Sequence, residues 1–210
     1  MIARGRYVKG GAANNAAATS HLNSHLKYLE HRSRDKQESR EDRSIFSKED
    51  DQVNRREAVD TVMEHTSSSV SYHKIVLSPG DDEPMQDWRE WTREVMADLE
   101  AEQGMDLHWY TVHHSNTEHE HVHVVLAGAG EHRETGHEEA VKLYREDYQV
   151  LRESGHDHSD HDFYDHLSEQ LKELDRQDEL GHDHGVRDQE RDFRSDFTHT
   201  VDLNEGEHDR

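Results

Sequence analysis

The chain has 210 residues, enough for one domain of ordinary size or one domain with an extension. Hydrophobic residues make up 30% and charged residues 35%, with 48 acidic against 25 basic side chains (18 Arg, 7 Lys) and a net charge of −23. With no Cys, neither a disulfide frame nor a thiolate metal site is available; no apolar run approaches the roughly 18 residues of a membrane span, and residues 1–9 lack the apolar stretch of a signal peptide, so the expectation is a cytoplasmic protein with no membrane partner.

An acidic, Lys-poor chain is what extreme halophile proteins look like, because a strongly charged surface stays soluble in molar salt. At about 1 M salt the Debye length is roughly 3 Å, so self-repulsion is screened and phosphate binding must rest on short-range contacts and metal. A disordered acidic tail or nucleic-acid mimicry would explain the charge in a non-halophile. The charge is uneven. Residues 1–44 carry nine basic and five acidic side chains, a net of +4, which leaves −27 for the rest. Arg4, Arg6 and Lys9 therefore sit in the segment best suited to a DNA backbone.

In chain order, residues 2–8 alternate enough for an edge strand, and the Gly10-Gly11-Ala-Ala run after it is small and flexible. Thr19 or Ser20 can cap a helix through about Glu30 whose apolar stripe is Leu22, Leu26 and Leu29. Tyr28 lies off that stripe by roughly 100°, beside His21 and His25. There it is either a plain surface tyrosine or one whose hydroxyl faces a cleft. Residues 31–52 read as a polar loop or arm. A helix over 54–64 turns Val59, Val62 and Met63 inward. A strand over 69–77 stops at Ser78-Pro-Gly, and a helix with Pro84 in its first turn and Asp81 or Asp82 as cap runs to Gln103 and ends at Gly104. Its face is Trp88, Trp91, Val95 and Leu99, a core stripe.

Two strands follow, over 107–114 and 120–127, joined by a polar turn. Alternation puts His121 and His123 on one face, about 7 Å apart, with Val122 and Val124 on the other. Two imidazoles so placed can share a metal ion. His114 is at hand as a third ligand, with His113 and His119 as rivals. The spacing alone is weak, since His156-Asp-His158 and His182-Asp-His184 repeat it in polar runs. The apolar frame of Val122, Val124, Val125 and Leu126 distinguishes the strand pair. A helix over 144–153 closed by Gly155 carries Tyr144 and Tyr148 in a stripe with Val141 and Leu151, and a last helix is expected over 163–180 before a polar tail. Strands and helices in this order predict an antiparallel sheet with helices on one side.

These landmarks resemble the relaxases of mobilisable and conjugative plasmids, which are HUH-type single-strand DNA endonucleases. His25-Leu-Lys-Tyr-Leu-Glu-His-Arg32 is similar to their first motif, which carries the catalytic tyrosine. His73-Lys-Ile-Val-Leu-Ser-Pro-Gly80 is similar to the second, a strand ending in Ser near bound DNA. His114-Ser-Asn-Thr-Glu-His-Glu-His-Val-His123 is similar to the third, the metal-binding histidines, with Asn116 and Glu118 where the family often has Asp, and Glu120 where it often has Pro. The resemblance covers residues 1–155. It implies an α+β fold, a central antiparallel sheet flanked by helices with the histidines on a middle strand; composition alone gives residues 156–210 as an acidic His/Asp-rich helical extension, partly disordered.

The resemblance further implies a divalent metal, Mn2+ or Mg2+, held by His114, His121 and His123. Tyr28 would be the nucleophile that forms a 5′-phosphotyrosine, and Ser78 would touch DNA. The implied partner is single-stranded DNA at an origin or hairpin, with accessory DNA-processing proteins possible and the oligomeric state open. Rolling-circle replication initiators, the sister group, place their tyrosine after the histidines, which makes Tyr148 or Tyr144 the rival nucleophile. The competing reading is a non-catalytic HUH fold that binds DNA, or a His-rich metal-binding module.

Overall fold

The computed structural model describes residues 1–11, 15–31, 43–80, 83, 85–115, 120–160 and 172. Its elements all belong to the unit Met1–His161; of the second unit, Asp162–Arg210, only Lys172 is described. The fold is α+β. A four-stranded antiparallel sheet has the order β1 (Ile2–Lys9), β2 (Val70–Ser78), β5 (His121–Ala127), β4 (Trp109–His114), so β5 is an interior strand. A small second sheet joins β3 (Met105–Asp106), β6 (Ala129–His132) and β7 (Glu138–Ala140). The helices are α1 (Asn15–His31), α2 (Arg55–Glu64), α3 (Trp88–Gln103) and α4 (Arg145–Asp157). No described helix is long and apolar enough to cross a membrane.

The sheet is covered on both faces, not on one. Leu22, Leu26 and Leu29 of α1, with Ala58 and Val62 of α2, bury against Tyr72, Tyr110, Val112 and Val125. On the other face Trp91, Val95, Met96 and Leu99 of α3 and Leu151 of α4 bury against Ile75, Leu77, Trp109, Val122, Val124 and Leu126. Each fully buried leucine contributes about 1.5–3 kcal/mol of apolar burial.

Several boundaries differ from the sequence expectation, each for a local reason. Helix α1 begins at Asn15, because Ala16, Ala17 and Ala18 are the strongest helix formers and join it. Thr19 is therefore no cap; its hydroxyl donates back to the Asn15 carbonyl (2.7 Å) from within the helix. Helix α3 begins at Trp88, with Asp87 as the cap that accepts from the Arg89 and Glu90 amides. Residues 81, 82 and 84 lie outside the described residues. Gly104 ends α3 at φ 63°, as expected.

The polar stretch after α1 is not all arm. Ile45 and Phe46 are buried in opposite cores, and Phe46 exchanges two backbone hydrogen bonds with Thr111 (3.0 and 2.9 Å), which covers the β4 edge. Gly155 does not close α4; it lies inside the helix, where its carbonyl accepts from Trp91 Nε1 (2.9 Å) and a Cβ would collide with Met1. The β6–β7 hairpin was not foreseen. The expected arm over 32–42, helix over 163–180 and tail over 181–210 fall, Lys172 aside, outside the described residues.

Gly128 shows how tightly the two sheets join. A Cβ there would overlap the Val70 carbonyl and approach the Ser71 carbonyl oxygen to 2.8 Å. Backbone cannot yield as a side chain tip can. Gly128→Ala is expected to cost about 3 kcal/mol, read as a lower urea midpoint at unchanged slope; an unchanged midpoint would show that the junction relaxes freely.

Candidate metal centre and its cleft

Alternation along β5 sends Val122 and Val124 into the α3 core, and His121 and His123 to the α1 face. His114 ends β4 directly opposite His121 in the register. Together the three rings form a cluster: their centroids are 5.5 Å (114–121), 4.8 Å (114–123) and 4.9 Å (121–123) apart, all tilted 66–74°. One nitrogen from each lies within 4.8 Å of the others.

His114 is fully buried, and its Nε2 donates to the Leu29 carbonyl (3.1 Å). A carbonyl can only accept, so the ring's lone pair is on Nδ1. Such a backbone contact fixes ring orientation as the outer contacts of metal-binding imidazoles do. At metal–nitrogen bonds near 2.1 Å, neighbouring ligand nitrogens stand about 3 Å apart, so modest ring rotations would close this set on one ion. Neutral nitrogen donors on a rigid strand pair fit a divalent transition ion.

The rivals are placed differently. His113 points to the other face, stacked on Trp88 (centroids 4.4 Å, 19°) with Nε2 3.2 Å from Glu120 Oε2. His119 lies outside the described residues. His156 hydrogen-bonds Glu83 (3.0 Å) and His158 hydrogen-bonds Asp98 (2.9 Å), which are structural contacts. His161, His182 and His184 lie outside the described residues.

Helix α1 lies along the cluster. His25 meets His123 edge to face (6.4 Å), and the Leu29 carbonyl holds His114. Tyr28 is on the same helix, one residue before Leu29, and is 55% exposed. Ser78 ends β2, and its hydroxyl donates to the carbonyl of Glu120 (3.1 Å), tying down the residue before His121. Tyr148 lies across the sheet: it packs against the α3-side core, and its hydroxyl occupies the space a Cβ on Gly5 would need. Burial raises its pKa. Tyr144 is the exposed N-cap of α4.

Beside the cluster a cleft of about 640 Å³ is lined by Ile2, Arg4, Arg6, His25, Lys74 and His123, among others. The register explains it: Arg4 pairs with Val76, which pairs with His123, and Arg6 pairs with Lys74. A cationic row thus runs from the β1 edge to the histidines. Its lining holds no carboxylate. Burial first, then Lys74, His21, Arg6 and His114, lower the His25 pKa to about 4. Burial and then Arg6 lower that of Lys74. His21 Nδ1 is 3.2 Å from the Tyr72 hydroxyl, whose pKa burial pushes up to about 12. Lys74 was not singled out as a cleft cation from the sequence; the even-numbered alternation of β1 carried on into β2 was the available signal.

A pH dependence follows. Burial lowers the folded pKa values of His25, His73 and His108 below the ordinary imidazole value of about 6.5. The unfolded chain therefore takes up protons that the folded chain refuses. Stability of the metal-free protein is present above about pH 6.5 and is lost as pH falls toward about 4. His25→Gln should flatten that slope in urea midpoints taken at pH 7.5, 6 and 5; an unchanged slope would contradict the burial of this ring.

No family model and no curated protein matches the chain. Among solved structures, it is similar to a manganese-bound crystal structure of the MobM relaxase domain bound to plasmid oriT DNA, at 14% identity and a TM-score of 0.36, covering 74% of this chain and 88% of that one.

Proposed function

We propose that this protein is a metal-dependent endonuclease that nicks single-stranded DNA through a covalent tyrosine intermediate. The observation that carries the reading is the histidine cluster with the Tyr28 helix laid against it. Support also comes from the acid-free cationic cleft beside it, an exception in a chain of net charge −23, and from the order of the three relaxase-like motifs.

His114, His121 and His123 would hold the ion, Mn2+ or Mg2+. When bound, it supplies charge neutralisation at the scissile phosphate. Arg4, Arg6 and Lys74 grip flanking phosphates as point charges and forks. Tyr28 Oη attacks phosphorus in line, forming a phosphotyrosine ester to the 5′ side, and the 3′ oxygen leaves with the bonding electrons and takes up a proton. The phenol proton must go elsewhere, and His25 at a pKa of about 4 is a weak acceptor, so the exposed side of Tyr28 delivers it to solvent. Ser78 keeps the approach to His121 fixed. One phosphoester replaces another, so the bond energy is conserved for rejoining. The biological setting we infer is plasmid or viral mobilisation or rolling-circle replication in a halophile's cytoplasm.

The test uses labelled single-stranded oligonucleotides from the protein's own replicon, with Mn2+ in molar KCl. A protein-linked band on a denaturing gel that EDTA prevents is the expected result. Metal binding with no such band on any replicon sequence would favour the non-catalytic alternative.

A further inference from the structure

The exposed large apolar side chains among the described residues are Ile2, Tyr7, Tyr28 and Tyr144. Ile2 and Tyr7 lie on β1, at the sheet's open edge, and Tyr144 is across from it on the far face. That far face holds a second cleft, of about 420 Å³, lined by Arg6, Tyr7, His73, Lys142, Tyr144 and Tyr148 among others. Like the first, it has no carboxylate in its lining, whereas three other clefts of the described residues each have at least one: Glu30 in two of them, Asp87 and Glu120 in the third. The two acid-free clefts share Gly5 and Arg6, so they meet over β1.

The near cleft belongs to the proposed catalytic site; the far one is unused by it. Its chemistry is exposed tyrosine rings, 55% and 61% accessible at Tyr7 and Tyr144, between Arg6 and Lys142. Tyr7 leans on the buried His73 ring (centroids 6.3 Å, 56°), and His73 Nε2 donates to the Val141 carbonyl (3.0 Å), which anchors the platform beneath it. Asp147 is buried and occupied by the Tyr144 amide and Gln103, and the exposed Glu146, two residues from Tyr144, is not in the cleft's lining. Aromatic faces with interleaved cations and no acid suit unpaired bases, since every base has a stacking face, and a duplex keeps those faces covered.

We propose that single-stranded DNA leaving the histidine cleft crosses the β1 edge at Gly5–Arg6 and stacks bases on Tyr7 and Tyr144 in the far cleft. This deepens the nickase reading and rests on it for the strand's starting point. The far cleft is a holding site, and neither tyrosine takes part in chemistry.

The experiment is fluorescence anisotropy of the full chain with labelled oligo-dT of about 6 and about 18 nucleotides, with EDTA present so that no nicking occurs. Tyr7→Ala and Tyr144→Ala are each expected to weaken the longer oligonucleotide about tenfold, and Tyr7→Phe and Tyr144→Phe to restore it, because the ring face is kept. The short oligonucleotide and a blunt duplex should be much less affected. Equal affinity of the Ala variants and the wild type for the long oligonucleotide would overturn the proposal. So would an equal loss on duplex, which would mark a general polyanion surface, or failure of the Phe variants to recover, which would mark a folding effect. The two readings fail separately. Tyr7-dependent binding by a protein that never forms a covalent band sinks the nickase alone, and a covalent band with Tyr7-independent binding sinks this track alone.

Discussion

His121→Ala is expected to erase most of the metal-induced stabilisation and to abolish nicking. Wild-type protein is expected to gain stability with Mn2+ as RT ln(1 + [M]/Kd), about 4 kcal/mol at a thousandfold excess over Kd. His121 would supply one nitrogen of three, and its removal should weaken the ion by at least about 100-fold, erasing most of that gain. The ring is only half-buried, so the metal-free melting temperature should hardly move. His113→Ala is the control for the face assignment. Its ring stacks on Trp88 across the sheet, so it keeps the Mn2+ response. A His121→Ala protein still stabilised by Mn2+ would move the site elsewhere.

Tyr28→Phe removes one oxygen from an exposed side chain, so folding stability should stay within about 0.5 kcal/mol. Covalent adduct formation should fall by on the order of 10³ or more, because a nucleophile is not replaced by a better-placed water. Metal binding should be untouched. Tyr148→Phe should still form the adduct: that hydroxyl abuts Gly5 on the sheet face away from the histidines, and burial holds it protonated. Nicking that survives Tyr28→Phe and disappears in Tyr148→Phe would reverse the choice of nucleophile.

The histidine strand was legible because two signals agreed, a His-x-His period of two and an apolar frame of the same period. The sheet's second covered face was also written there, in Val125-Leu126-Ala127, a consecutive apolar run that a strand wet on one side does not need. The order of strands and helices alone predicted helices on one side only. Ile45 and Phe46 escaped notice because two apolar residues in a polar stretch have no period; tertiary docking on Thr111 orders them. The β6–β7 hairpin pairs exposed Glu131 with Glu138, a sequence with no strand character, held by its neighbours rather than by propensity. At the site, His114 was separable from His113 only by which face each takes at the end of β4, and one residue of register decides that. The cationic cleft needed the β1–β2–β5 register, which brings Arg4 and Lys74 beside a histidine more than forty positions away.

The most direct measurement maps the adduct. After reaction with a labelled oligonucleotide and Mn2+, nuclease trimming and trypsin digestion leave a nucleotide mass on one peptide. Cleavage after Lys27 and Arg32 isolates residues 28–32, and cleavage after Arg145 and Arg152 isolates residues 146–152. The added mass is expected on the first peptide, at Tyr28, and absent when His121 is Ala. The mass on the peptide holding Tyr148, or on none, would contradict the account.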